Sequence, residues 1–219
     1  MPHHQAQPPQ TTRRLRRIAC AAALAVACTG SLPQLAHAGH VTPPPVPPNI
    51  QVPTGHQAFL EGHAVGTQNY ICLPSGWTFF GPQATLFNAH DQQIITHFLS
   101  AIPEEDDTLL PTWQHSRDTS TVWAMPVPGG SSADPTFVAP GAIPWLLLQV
   151  VSAEPGPTGG HRLTNTVYIQ RLNTSGGVAP VSTCTVGQRA FVPYEADYFF
   201  YKAAKGEEKD RGDDRDDED

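Results

Sequence analysis

The sequence predicts an all-β fold: a single antiparallel β-sandwich or barrel-like domain with short strands and Pro/Gly-rich loops. Three observations point there. Twenty-three prolines and 18 glycines are spread along the 219 residues and divide them into short apolar runs, the punctuation of strands and turns. Two stretches in the last third alternate apolar and polar residues with the two-residue period of a strand. No window keeps a helical period for three or four turns.

Residues 1–38 read as a cleavable secretory signal. Arg13, Arg14, Arg16 and Arg17 form a basic opening, and Ile18 to Ala27 is an apolar stretch too short to span a bilayer. Ala36-His37-Ala38 is a small-x-small cleavage site, which puts the mature N-terminus at Gly39. Three other routes stay open. One is a twin-arginine signal at Arg13-Arg14, although Arg16 and Arg17 stand where it has apolar residues. Another is a lipoprotein box at Ala25-Val26-Ala27-Cys28, with Ala25 in the usual Leu position. The third is an Arg-rich, acid-free mitochondrial transit peptide. Cleavage near Ala38 makes the product secreted or periplasmic, with no transmembrane segment in the mature chain.

Residues 39–54, with Val41 to Pro48 reading VTPPPVPP, form a Pro-rich linker of polyproline II character without a core of its own. Residues 55–203 form the β domain, and 204–219 a disordered acidic tail. That tail holds nine acidic and four basic residues within a whole-chain net charge of −7. Four of the remaining bases leave with the signal, so the mature protein is more acidic still. This excludes a nucleic-acid partner, which calls for a clustered basic face, and disfavours anionic lipid. Cys20 and Cys28 also leave with the signal. Cys72 and Cys184 remain, an even count in an oxidising compartment, and are expected to pair; two buried free thiols are the alternative. The loop such a bond closes is worth up to ~4–5 kcal/mol on the chain-entropy model.

Within the domain, Gln57–His63 and Gly66–Cys72 read as a hairpin turning at Gly62 to Gly66. Trp77–Phe80, Ala84–Phe87 and Ile94–Leu99 follow, with turns at Pro74-Ser75-Gly76 and Asn88 to Gln92. Thr121–Met125 is a strand, and Met125 to Ala142 reads as loop. Ile143 to Val151 is a continuous apolar run, the pattern of a strand covered on both faces. Leu163–Asn173 alternates, and so does Phe191–Tyr201, where Val192, Tyr194, Ala196, Tyr198 and Phe200 share a face opposite Glu195 and Asp197.

Five ordered blocks carry a family resemblance. They are Gly66-x-Gln68-x-Tyr70-x-Cys72 with Trp77 and Pro82-x-Ala84-x-Leu86; Pro111-x-Trp113 with Ser120-x-Val122; Ile143 to Leu148; Ile169-Gln170-Arg171-x-Asn173-Thr174-x-Gly176-Gly177-x-Ala179-Pro180 with Cys184; and Val192 to Tyr201. In this order, over roughly residues 55–203, the chain resembles the DUF3455 family, secreted bacterial and fungal proteins of unknown function. The resemblance implies no activity, cofactor or catalytic residue. Some relatives carry a malate dehydrogenase label, which these residues do not support. No Gly-x-Gly-x-x-Gly follows a strand, and no βαβ pattern is present to hold one.

Histidine is the suggestive residue type. His97 shares a strand face with Ile95 and Leu99, His90 stands one turn upstream, and His115 flanks Trp113. Imidazoles in a β scaffold can hold Zn²⁺ or Cu²⁺, so His90, His97 and His115 are candidate ligands, though their spacing matches no ligand signature. Ser120, His115 and Asp118 have the residue types of a hydrolytic triad but sit on one turn, where triads are seldom built. Glu195 and Asp197 are a candidate carboxylate pair that an exposed face explains equally well. Arg171 follows Val167 and Ile169 on an apolar face, where an unpaired charge is costly. Two roles stay open for it: an internal pair with Asp197 or Glu61, or an anchor for an anionic ligand. Trp77, Trp113, Trp123 and Trp145 read as core. The functional expectation is a secreted, non-catalytic binding or structural module of the cell envelope or exterior, with a secreted metal-dependent enzyme as the alternative. The sequence names no cofactor, ligand or partner.

Overall fold

The computed structural model describes residues 41–103, 105 and 107–204. The signal segment and the acidic tail 205–219 lie outside the described residues, and the expectations about them with it. Eight strands follow one another: β1 (His56–Leu73), β2 (Gly76–Phe87), β3 (Gln93–Ser100), β4 (Leu110–His115), β5 (Thr121–Ser132), β6 (Trp145–Glu154), β7 (Tyr168–Gly176) and β8 (Arg189–Ala203). Each pairs antiparallel with the next, and β8 returns to β1, so chain order is strand order around a closed barrel. The fold is all-β, as expected, and of the two architectures the barrel is the one formed. Closure leaves no unpaired sheet edge.

Four local readings change, each for a physical reason. The expected first hairpin is one continuous strand, β1. Gly62 and Gly66 are not turn residues; they let β1 lie close against β2, and a Cβ at Gly66 would come 2.1 Å from the Gln83 carbonyl oxygen. Trp77–Phe80 and Ala84–Phe87 likewise join into β2. β5 runs beyond Met125: its pairing with β6 breaks after Pro126, then resumes at Ser131 opposite Leu146 and Ser132 opposite Trp145. Finally, Leu163 to Val167 is a turn rather than the start of β7. The Thr166 N–H and hydroxyl both donate to the Leu163 carbonyl, at 2.9 and 2.6 Å.

Two cores result. The inner one fills the barrel with alternate residues of every strand, among them Leu86, Ile95, Trp113, Val122, Leu148, Ile169, Tyr194, Tyr198 and Phe200. The outer one covers the far side of β6, β7 and β8, where Trp145, Leu147, Leu172, Phe199 and Tyr201 meet Val138 and Ile50. β6 is thus covered on both faces over its first half. The cover comes in part from the segment read as a linker. Val41, Val46 and Val52 pack on this face, and Ile50 is fully buried. The Ile50 carbonyl accepts from Gln170 Nε2 at 2.6 Å, and Asn49 Nδ2 donates to the carbonyls of Gly129 and Ser131 at 2.9 and 2.8 Å. The polyproline stretch has no core of its own, but it completes another element's core, because so apolar an outer face has to be removed from water.

Candidate functional site

The barrel's two ends differ. At one end lie the β2–β3 and β4–β5 turns and the β6–β7 connection, which inserts Leu163 into the inner core. At the other lie the β1–β2 turn and the longer connections β3–β4, β5–β6 and β7–β8. Toward this second end the interior holds a cavity of about 130 Å³. Register builds its floor: Leu146, Arg171 and Tyr198 are direct neighbours on β6, β7 and β8, and His97 pairs with Trp113 across β3 and β4. Pro82, Pro111 and Pro126 line it too, with Gln68, Phe79 and Leu148. An eight-stranded barrel has room inside for packed side chains or for one small ligand.

The aromatic wall is ordered. His97 stacks on Trp113 with ring centroids 4.2 Å apart and planes 10° from parallel, and Tyr198 meets both rings edge-on. His97 Nδ1 donates to the Thr112 carbonyl at 2.8 Å. Burial pushes the His97 pKa down to about 3, and the nearby Arg171 charge acts in the same direction against the opposing bond to Thr112, so the ring is neutral. Burial also raises the phenols of Tyr194 and Tyr198, outweighing the opposite pull of the Gln68 amide beside Tyr194 and of the Arg171 guanidinium beside both, and holds that of Tyr70 up, so these hydroxyls stay protonated. Tyr70 donates to the Gly177 carbonyl at 2.6 Å, and the Tyr194 and Tyr198 hydroxyls lie 3.4 Å apart.

Arg171 projects into this chamber. Its Nη2 donates to the Pro144 carbonyl at 2.8 Å. The internal ion pair is not formed. Asp197 lies on the outer face of β8, where it accepts from His63 Nδ1 at 2.7 Å and Asn173 Nδ2 at 2.8 Å. Glu61 is on the outside as well, its pKa raised by partial burial and by the Asp197 charge beside it. Strand parity separates these acids from Arg171, since Tyr198 points in and Asp197 therefore points out. Buried side-chain nitrogens without a hydrogen-bond partner occur at Gln68 Nε2, Trp113 Nε1, Trp145 Nε1 and Arg171 Nε among the described residues. Three of these four residues line the cavity. Gln68 is 3% exposed and Trp113 1%, so bulk water does not serve them. The chamber therefore offers N–H donors and one guanidinium, and among the described residues its lining contains no carboxylate.

The three candidate metal ligands are not brought together. His97 is in the chamber. His90 is exposed in the β2–β3 turn, where its backbone N–H donates to Asn88 Oδ1 at 2.9 Å. His115 is buried at the opposite end, and its Nδ1 accepts the N–H groups of Arg117 and Asp118, both at 3.3 Å. Among the described residues no group of three or more His, Cys, Asp or Glu is placed to hold a metal ion. The Ser120 cluster is structural: its Oγ donates to Asp118 Oδ1 at 2.8 Å and accepts from the Leu163 N–H at 3.1 Å, which holds Leu163 in place. Asp118 Oδ2 accepts from the Arg162 N–H at 2.8 Å. Burial opposes ionisation of Asp118, but the hydrogen bonds from Arg162 and Ser120 outweigh it and hold the carboxyl below its ordinary range.

Cys72 and Cys184 are joined, with Cα atoms 6.0 Å apart and a separation of 112 positions in sequence. The bond ties the β7–β8 connection to β1 at the chamber's end, and Trp77 Nε1 donates to the Ser182 carbonyl of the same connection at 3.0 Å. The tryptophans do not form one exposed platform: Trp113 lines the chamber, Trp145 belongs to the outer core, and Trp123 donates to Ser100 Oγ at 2.9 Å. Arg171 was visible in the sequence as a charge on an apolar face. Gln68 was missed, although it shares strand parity with Ala64 and Tyr70, both inward and buried, which is the same signal.

A family model described as a protein of unknown function (DUF3455) matches residues 53–202, and the chain belongs to that family. Nothing among curated proteins and no solved structure matches it.

Proposed function

We propose that this DUF3455 domain is an exported, non-catalytic binding module that holds a small molecule in the open end of its barrel. One observation carries the reading: three buried N–H groups without partners, on Gln68, Trp113 and Arg171, belong to residues lining the same cavity. Buried donors are ordinarily satisfied, and leaving one unpaired costs about 1–3 kcal/mol. Three around one void are what a site looks like when its acceptor is supplied from outside. The chemistry of the wall supports a binding rather than a catalytic role. A histidine with a pKa of about 3 is a weak base at neutral pH, and the adjacent phenols are held protonated.

Export is supported by the signal pattern and by the Cys72–Cys184 bond, which persists in oxidising compartments. Among the described residues no helix is long and apolar enough to cross a membrane. N-terminal sequencing of the exported protein is expected to begin at Gly39. The binding reading is tested by native mass spectrometry of protein recovered from its own compartment. The wild type is expected to carry a small adduct, which Leu146→Trp abolishes by filling the chamber while far-ultraviolet circular dichroism stays the same. A wild-type protein of bare mass, which no member of a fragment library stabilises against heat, would overturn it.

A further inference from the structure

Resting on that reading, we infer that the chamber's ligand is a small carboxylate with a flat apolar body, its charge held by Arg171 and Gln68. The charge comes from the lining. Arg171 brings a permanent positive charge into a half-buried position, and its Nη2 is anchored on a carbonyl rather than on an acid. A guanidinium withdrawn from water without a counter-charge is unfavourable, and an anion beside it reverses that penalty. The unpartnered Arg171 Nε–H and Gln68 Nε2–H are donors of the kind a carboxylate accepts, and guanidinium–carboxylate pairing is planar and directional. One cationic group matches one negative charge.

The ligand's body follows from the rest of the wall. Leu146, Leu148, Pro111 and Pro126 offer no hydrogen bonds, and the prolines lack even a backbone donor. Inorganic oxyanions such as sulfate need donors on every side; against these residues most of their oxygens would be left bare. The volume, about 130 Å³, sets the size: a dry apolar cavity of about 150 Å³ in another protein takes up benzene. The stacked His97 and Trp113 rings and the edge of Tyr198 give that body a flat aromatic neighbour.

The experiment is isothermal titration calorimetry of the mature, disulfide-bonded protein at fixed ionic strength, with sodium benzoate, benzyl alcohol and sodium sulfate as probes. Benzoate is expected to bind one to one, and benzyl alcohol, similar in size and uncharged, at least about tenfold more weakly, the value of a hydrogen bond to a charged group. Sulfate is expected to give no binding heat. Arg171→Met is expected to weaken benzoate by about tenfold or more and benzyl alcohol several-fold less than that. Gln68→Leu, which removes an unpaired buried donor and keeps the shape of the wall, is expected to weaken benzoate by about fivefold. If Arg171→Met does not fold, the wild-type probe series and Gln68→Leu decide. Equal affinity for benzoate and benzyl alcohol overturns the anionic class and leaves the binding module standing. Sulfate bound as tightly as benzoate overturns the flat apolar body. No heat from any probe overturns the inference and assigns the three donors to enclosed water, while the binding module itself falls only with the native-mass result.

Discussion

The two ends of the barrel interior are made of the same alternating strands and follow opposite rules. At the plugged end Leu163, Leu86, Ile95, Ile169 and Phe200 pack with no exposure, and the polar groups beside them are used: Ser120 and Asp118 accept or donate at every turn of the β4–β5 corner. At the open end the wall holds Arg171, Gln68 and His97, three prolines, and donors without acceptors. A folded chain tolerates the second arrangement because the first supplies the stability and because a covalent bond braces the open end at Cys72–Cys184. Where stability is made and where a ligand is expected are separate regions of one barrel.

That contrast can be broken or sharpened in four ways. The largest effect is expected from the disulfide. Replacing both cysteines with serine is expected to lower stability by about 4–5 kcal/mol, the chain-entropy value for a loop of this length, read as a shift in the urea midpoint. A loss near zero would mean that the open end holds its shape without the clamp. Next comes the plugged end: Phe200→Ala, at a fully buried position, is expected to cost about 3–5 kcal/mol in the same assay. A cost under about 1 kcal/mol would show that this end is not the stability core.

The third test is pH. His97 has a folded pKa of about 3 against an ordinary 6.5, so between those values the unfolded chain binds the extra proton. Stability is then fully present above 6.5 and falls with pH down to about 3, by about 2 kcal/mol between pH 7 and pH 5. His115, lowered by burial and by Arg162 and Arg117, acts with the same sign at the other end, and Asp118 loses its contribution as pH falls through its lowered pKa. His97→Phe keeps a ring beside Trp113 and is expected to flatten most of the slope between pH 7 and pH 5. An unchanged slope would move the titration to the plugged end. The smallest effect has the opposite sign: Gln68→Leu is expected to leave stability the same or raise it by about 1 kcal/mol, because it removes a buried donor that no hydrogen bond of normal geometry satisfies. A loss of more than about 1 kcal/mol would mean that Gln68 already has a partner.

Several of these features were legible without coordinates. The alternation of Tyr194, Ala196, Tyr198 and Phe200 marked the inner face of β8, the apolar run Ile143–Val151 marked a strand covered on both faces over its first half, and the two cysteines outside the expected signal marked a bond. Arg171 stood out as a charge of the wrong parity. Other features had no local signal. Gly62 and Gly66 have the composition of a turn and work as a close approach between strands. The Pro-rich segment before β1 has the composition of a free linker and buries Ile50 completely. His90, His97 and His115 are near in sequence, yet the fold sends one to solvent and the other two to opposite ends.

What the sequence determined by itself is parity: a strand's two-residue period assigns each side chain to one face or the other from its neighbours alone, and that was enough for the fold class and for the anomaly at Arg171. What only the tertiary structure decided is adjacency. Whether Arg171 meets Asp197 or lines one cavity with Gln68 depends on the register of β7 on β8 and on β8 closing against β1, contacts made between residues distant in the chain, whose energies no local stretch contains.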